Sequence, residues 1–187
     1  MYRHLLSTLF CVAALFSGGC TLVAPKYSAS LENVDKLKTA AIQSINVGKF
    51  DTAPGKGNSN PISIRGSSLT SPYNNSYAMY LAEAVKQELS LAGKFAPDAQ
   101  IEISGAIRKN DIDISGFVTG NGVIEARFVV TRSGKITYDQ IKTINDLWDS
   151  SFVGAVAIPR AQERYPVMVQ KLLAQLYADA AFMDALK

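Results

Sequence analysis

Histidine and cysteine are almost absent from this sequence. Its 187 residues include one histidine and two cysteines, and all three, His4, Cys11 and Cys20, lie within the first twenty positions. From residue 21 onwards the chain therefore cannot form a Ser-His-Asp or Cys-His catalytic arrangement. Metal sites with histidine or thiolate ligands and disulfides are excluded there as well. The sequence predicts no catalytic residue, no metal and no cofactor.

A large excess of one charge is also lacking. The chain has 19 basic and 16 acidic side chains, for a net charge of +3. Nucleic-acid-binding proteins usually concentrate basic residues in a patch, so we expect no nucleic-acid partner.

Long apolar runs are scarce too. The one at residues 5–16, preceded by Arg3, is too short to cross a bilayer and remain anchored, and it predicts an export signal.

The residues that end this apolar run, 15–20, read Leu-Phe-Ser-Gly-Gly-Cys. They resemble the lipobox of bacterial lipoproteins, in which a diacylglycerol is attached to the cysteine sulfur before the chain is cut. The resemblance implies that residues 1–19 are removed and that Cys20 becomes the lipidated first residue, with palmitate-type acyl chains. Two or more such chains hold a protein firmly on a membrane. The alternatives are an ordinary secretory signal with an incidental cysteine and an uncleaved helix. Residues 21–30 disfavour the helix because the apolar run does not continue there.

The residue after the lipobox cysteine is Thr21, where the inner-membrane retention signal of enteric-type bacteria has an aspartate. We therefore expect the protein on the periplasmic face of the outer membrane. Residues 20–36 are mostly polar, with Pro25 and no sustained period, and we predict a tether that spaces the domain from the bilayer. Residues 37–187 then form a single domain.

Two amphipathic helices are predicted in this domain. The first begins near Ser71, with Asn75 and Ser76 as alternative N-caps, and ends at Gly93. Its buried stripe consists of Tyr77, Leu81, Val85 and Leu89. The second runs over residues 159–178, and Pro166 predicts a kink or restart within it. The C-terminal tail is expected to pack against the domain through Phe182 and Leu186.

Alternating apolar residues predict the strands. A first strand covers residues 39–47, residues 61–66 form a short strand or extended edge, and three long strands follow from residue 101 to about 148. Ser133 and Gly134 predict a tight hairpin between the second and third of these. Ile141 falls out of phase, which predicts a bulge near residues 139–140. The result is an antiparallel meander with one wet face.

The element order is therefore β-α-β-β-β-α. It predicts an α+β fold, a two-layer sandwich in which two helices pack on one face of a mostly antiparallel sheet.

Residues 146–159 form the least ordinary segment, because they hold the single tryptophan and an apolar run without charge after Asp149. One interpretation is a strand end and turn that pack onto the core. The other is a surface for a protein partner or lipid, since aromatic anchors dominate interfaces. The partner-binding hypothesis names Trp148, Phe152, Val153 and Ile158.

Three other functional interpretations carry less weight. Asp111 and Asp113 are interpreted as solvated charges at a sheet edge. A nucleophilic Ser150 or Ser151 would need Lys142 as its base, and nothing in the sequence places these residues together. A second class of function is a lipid- or glycan-binding module with a pocket between helices and sheet, and its predicted lining is Tyr77, Leu81, Phe128 and Tyr165.

With the lipobox at its head, this order of elements resembles a group of small Gram-negative envelope lipoproteins. The group includes the LPS-assembly lipoprotein (LptE-like), the YajG-type lipoproteins and the auxiliary lipoproteins of ABC-type lipid transporters. The likeness is carried by a helix, a meander with the hairpin Ser133-Gly134-Lys135, and a long helix ending near Asp179 and Phe182. It implies a non-enzymatic, lipid-anchored protein that assists an envelope assembly, with an envelope protein as its partner and lipid or LPS transport as a function of that assembly.

Overall fold

The computed structural model describes residues 20–55 and 57–187. The predicted signal segment, residues 1–19, lies outside the described residues. Within them the chain forms seven strands and four helices. The strands are β1 (Thr21–Val23), β2 (Ile45–Thr52), β3 (Ile62–Ile64), β4 (Ser67–Thr70), β5 (Ile101–Asp113), β6 (Thr119–Arg132) and β7 (Lys135–Asp149). The helices are α1 (Leu31–Thr39), α2 (Tyr77–Leu91), α3 (Gly154–Ala178) and α4 (Ala180–Ala185).

The larger sheet has four strands in the order β2-β5-β6-β7. β2 pairs parallel with β5, and the other two pairs are antiparallel. The hairpin between β6 and β7 turns at Ser133 and Gly134, whose φ angles are 48° and 80°. The predicted order β-α-β-β-β-α is β2-α2-β5-β6-β7-α3, so the α+β sandwich is confirmed. A second sheet, β1-β4-β3, and the helices α1 and α4 are added to it.

The core lies between the larger sheet and the helices α2 and α3. Ser76, one of the predicted caps, starts α2 by accepting a hydrogen bond from the backbone N–H of Met79. Gly93 follows α2 with φ of 70°, as predicted for a helix end. The alternating residues of the strands meet the helix stripes in one cluster that includes Ile103, Ala126, Phe128, Val130, Leu81, Val85, Leu172 and Leu176.

The opposite face of the larger sheet, called the polar face below, carries the outward residues of the same strands. Arg127 and Asp139 form an ion pair across β6 and β7, and Arg108 and Glu125 form another across β5 and β6. Ile141 also points to this side, opposite Arg127 in the strand pairing, and is exposed. The predicted wet face is therefore present.

The predicted tether, residues 20–36, is wrong as a description of this segment. It contains β1, which pairs with β4, and most of α1, which packs against α2 and α3. Ala24 and Tyr27 between them are buried. The segment folds onto partners that lie far along the chain. Its two buried apolar helix residues, Val34 and Leu37, are too few to produce a visible period.

Other predicted boundaries move as well. The strand predicted at residues 39–47 is β2, Ile45–Thr52, and it starts later because residues up to Thr39 belong to α1. The β7 irregularity lies opposite Val130 and Thr131, so Thr137 is the extra residue, two positions before the predicted bulge. The last helix begins at Gly154 and is continuous through Pro166, without a restart. Phe182 and Leu186 are buried, as predicted for the tail.

Candidate functional site

Cys20 sits at the edge of the folded domain. It is exposed and leads directly into β1. β1 runs parallel to β4, with Thr21 opposite Ser68, and the backbone N–H of Ser68 donates to the carbonyl of Cys20 at 3.0 Å. A group attached to the Cys20 sulfur would therefore lie against the domain surface, with no free chain between them.

Arg65 occupies the turn between β3 and β4, next to the strand that pairs with Cys20. Its guanidinium donates to three backbone carbonyls: Ile114 at 2.7 Å, Gly116 at 2.9 Å and Phe152 at 2.6 Å. The first two belong to the β5–β6 loop and the third to the β7–α3 loop. A single side chain thus ties three turns together at one end of the molecule.

An Arg65→Ala variant is expected to loosen this end. Three carbonyls lose a charged donor, so we expect the free energy of unfolding to fall by about 1–2 kcal/mol, with part of the loss recovered by water. Hydrogen exchange should accelerate at residues 114–118 and 150–153. The matched control is Arg108→Ala, which removes one member of a surface ion pair. Unchanged exchange in both loops of the Arg65 variant would contradict this role.

The two loops that Arg65 holds carry an exposed apolar patch, called the apolar tip below: Phe117, Val118, Phe152 and Val153. Each side chain is more than half exposed. The rings of Phe117 and Phe152 stack with their centroids 5.2 Å apart. The loops are also joined directly, since the Ser150 N–H donates to the carbonyl of Val118 at 2.7 Å.

The four predicted partner-binding residues do not form one patch. Phe152 and Val153 belong to the apolar tip, whereas Trp148 and Ile158 are partly buried and pack against the core. The Trp148 ring lies over Gly120, where a Cβ atom would approach within 2.5 Å of it. Phe117 and Val118 are not identified from the sequence, because they lie in the loop between β5 and β6, outside the alternating runs that predict the strands. Two adjacent apolar residues in a glycine-flanked turn are the signal that could have identified them.

The predicted pocket is filled by its own lining. Tyr77, Leu81, Phe128 and Tyr165 are each at most 2% exposed. The rings of Tyr77 and Tyr165 lie 4.7 Å apart between centroids, and the Tyr165 hydroxyl donates to Asn110 at 3.0 Å. These side chains build the core, so they leave no cavity for a lipid or glycan.

The other candidate residues are not assembled into a site. Lys142 donates to Asp179 at the far end of α3 from Ser150 and Ser151. Asp113 accepts from the backbone N–H of Ser115, and this bond lowers its pKa. Across residues 20–55 and 57–187, no group of three or more His, Cys, Asp or Glu side chains could hold a metal ion.

Glu88 fixes the N-terminal segment to α2. Its Oε1 atom accepts from the Tyr27 hydroxyl at 2.6 Å, the Ser30 N–H at 3.0 Å and the Asn33 side chain at 3.2 Å. Burial raises the pKa of Glu88 above its ordinary value, and these donors oppose that change only in part. This buried carboxyl group therefore holds the chain between Cys20 and α1 in place.

The raised pKa of Glu88 predicts a pH-dependent difference between the wild type and Glu88→Gln. Because the folded-state pKa exceeds the unfolded value, the contribution of Glu88 to stability is complete below that unfolded value and is lost as pH rises through the folded pKa. The wild type should lose stability relative to the variant from about pH 4.5 upwards. Chemical unfolding of both proteins across pH measures this difference. A difference that stays constant or rises with pH would contradict it.

No helix in the described part of the chain is long and apolar enough to cross a membrane. No family model matches the sequence, and a search among curated proteins finds no match.

The sequence is similar to several solved structures only at low identity. A Xanthomonas campestris protein of the family DUF330 is 14% identical, with a TM-score of 0.57, over 88% of this chain and 96% of that one. This likeness shows a common fold. A Chlamydia trachomatis protein of unknown function has a TM-score of 0.49 at 11% identity, over 78% and 99% of the two chains. A candidate lipoprotein of Caulobacter crescentus has a TM-score of 0.45 at 14% identity, over 83% and 98%.

Proposed function

We propose that the protein is a lipid-anchored, non-enzymatic envelope protein that acts by binding another envelope protein. One observation carries the anchor: Cys20, the lipobox cysteine, is exposed and is held at the domain surface by β1. Acyl chains on its sulfur would disturb no packed residue. The absence of histidine and cysteine after residue 20 supports a binding role, because the commonest nucleophilic and metal-dependent chemistries lack their residues.

The finer assignments follow from sequence resemblance. Thr21 after the lipobox cysteine supports the periplasmic face of the outer membrane. The resemblance to LptE-like, YajG-type and transporter-auxiliary lipoproteins supports a partner assembly that moves lipids or LPS. The filled core gives no support to the alternative of a lipid- or glycan-binding module with an internal pocket.

We assign the protein partner to the polar face of the larger sheet. Trp148 and Ile158 are partly engaged in the domain's own packing, which favours other residues as the anchors. On the polar face, Ile141 is 44% exposed and lies opposite Arg127, beside the ion pairs of Arg127 and Arg108, and Leu147, farther along β7, is 73% exposed. Apolar residues surrounded by polar ones are typical of protein interfaces.

Photo-crosslinking in living cells tests this assignment. A photoreactive residue replaces Ile141 on the polar face or, as the matched control, Gln175 on the exposed side of α3. We expect a discrete adduct with one envelope protein from Ile141 and none from Gln175. If several positions on the polar face give no adduct while the protein remains membrane-bound, the assignment is wrong.

A further inference from the structure

We infer that the apolar tip inserts into the lipid bilayer beside the lipidated Cys20, so that the protein contacts the membrane through both its acyl chains and its own side chains. The inference rests on the proposed anchor at Cys20. It adds a second contact with the membrane and a fixed orientation for the domain.

The first support is the exposure of the tip. Phe117, Val118, Phe152 and Val153 are 71%, 70%, 68% and 56% exposed. The two phenylalanine rings stack on each other with an angle of 12° between their planes, so the four side chains form one surface. A soluble protein rarely leaves stacked aromatic rings in water without a use for them.

The second support is the position of Cys20. Its carbonyl bonds to Ser68 in β4, and the turn that precedes β4 holds Arg65, whose guanidinium reaches the carbonyl of Phe152. The chain after β1 runs along α3 in the same direction. Gln162 donates to the carbonyl of Val23, and Gln170, two turns later, donates to the carbonyl of Ser28. Cys20 therefore lies toward the beginning of α3, where the apolar tip is.

The third support is the polarity of the two loops. Residues 114–118 and 150–154 contain no charged side chain. Arg65 satisfies three of their backbone carbonyls, those of Ile114, Gly116 and Phe152. Unsatisfied backbone groups are what usually prevents loops from entering lipid.

Together these features favour lipid over protein as the occupant. Acyl chains on Cys20 would bring a bilayer directly to this end, because no free linker separates Cys20 from β1. β6 begins at Thr119 beside the tip, and its 14 residues carry the chain about 45 Å to the hairpin at Ser133. That hairpin would then point away from the membrane, and the polar face would stand free for a protein.

Depth-dependent fluorescence quenching tests the insertion. After cleavage and lipidation, a cysteine introduced into the full-length protein is the one free thiol, because Cys11 is removed and Cys20 is acylated. The protein is labelled at Val118→Cys or, as the control, at Lys135→Cys beside the distal hairpin. Both are reconstituted in phosphatidylethanolamine and phosphatidylglycerol vesicles with quenchers on the acyl chains.

We expect the Val118 label to lie about 5–10 Å below the headgroup boundary, the depth that apolar interfacial segments reach. The Lys135 label should respond only to aqueous iodide. In a Phe117→Ser, Phe152→Ser background the label at residue 118 should become accessible to aqueous iodide and lose its quenching by the acyl-chain quenchers. Ile136→Ser, near the distal hairpin, should leave the quenching of this label unchanged.

If iodide quenches the label at residue 118 while the protein stays bound to the vesicles, the inference is wrong and the proposed lipid anchor is unaffected. Crosslinking from Val118 to an envelope protein, with the same open label in vesicles, would assign the tip to a protein partner instead. If the protein leaves the vesicles and Cys20 itself takes the label, the proposed anchor has failed.

Discussion

A Cys20→Ala variant is expected to lose its hold on the membrane. The wild-type protein should remain with membranes through high-salt and alkaline washes and leave them only in detergent, because two or more acyl chains anchor firmly. Without the cysteine no acyl chain can be attached, and the apolar run at residues 5–16 is too short to replace it. Cell fractionation and immunoblotting measure the distribution.

The sequence offers a matched control for this variant. Cys11→Ala removes the other cysteine, which lies within the predicted signal, and should leave the distribution unchanged. Retention of the Cys20 variant through the alkaline wash would show that something other than lipidation holds the protein. The apolar tip alone is expected to be too small for that, since its four side chains belong to short loops.

The largest loss of stability is expected from Asp146→Asn. Asp146 lies on β7, is 3% exposed, and accepts from Arg164 and Lys171 of α3. Burial raises the pKa of Asp146, but the hydrogen bonds from Arg164 and Lys171 outweigh that effect and the pKa falls below its ordinary value. The variant removes the charge that holds α3 to the sheet. We expect the free energy of unfolding to fall by about 1–3 kcal/mol, because the buried acceptor loses its charge while Arg164 and Lys171, which are partly exposed, turn to solvent.

Urea unfolding of Asp146→Asn and Asp139→Asn separates the buried ion pair from an exposed one. Asp139 pairs with Arg127 on the polar face, where solvent screens the interaction, so its variant should unfold close to the wild-type midpoint. Equal losses in the two variants would mean that burial of Asp146 contributes nothing to the strength of its ion pair.

The elements with strong local patterns were predictable. β5 and β6 alternate over most of their length, Ser133 and Gly134 mark the hairpin turn between β6 and β7, and Ser76 caps α2, so the sandwich followed from the sequence. The N-terminal segment was not predictable in the same way. β1 has three residues and exists because β4 lies beside it, and the buried hydroxyl of Tyr27 donates a hydrogen bond to Glu88 of α2. Such long-range partners leave no local pattern.

The candidate site was predictable only in part. Phe152 and Val153 were recognised from an uncharged apolar run, but the same run also contained Ile158, which packs against the core. α3 begins earlier than predicted because Ala157 and Ala161 pack into the core as part of its first turns. The link between Arg65 and Phe152 spans 87 residues, so the sequence could not show that Cys20 and the apolar tip share one end.

The measurement that tests the central claim most directly is the intact mass of the protein extracted from membranes, with fragmentation of its first peptide. We predict a chain that begins at Cys20 and carries a diacylglycerol on the sulfur and an acyl chain on the amino group. A chain that begins elsewhere, or one in which the Cys20 thiol is free, would contradict the lipid anchor and with it the membrane orientation drawn from the structure.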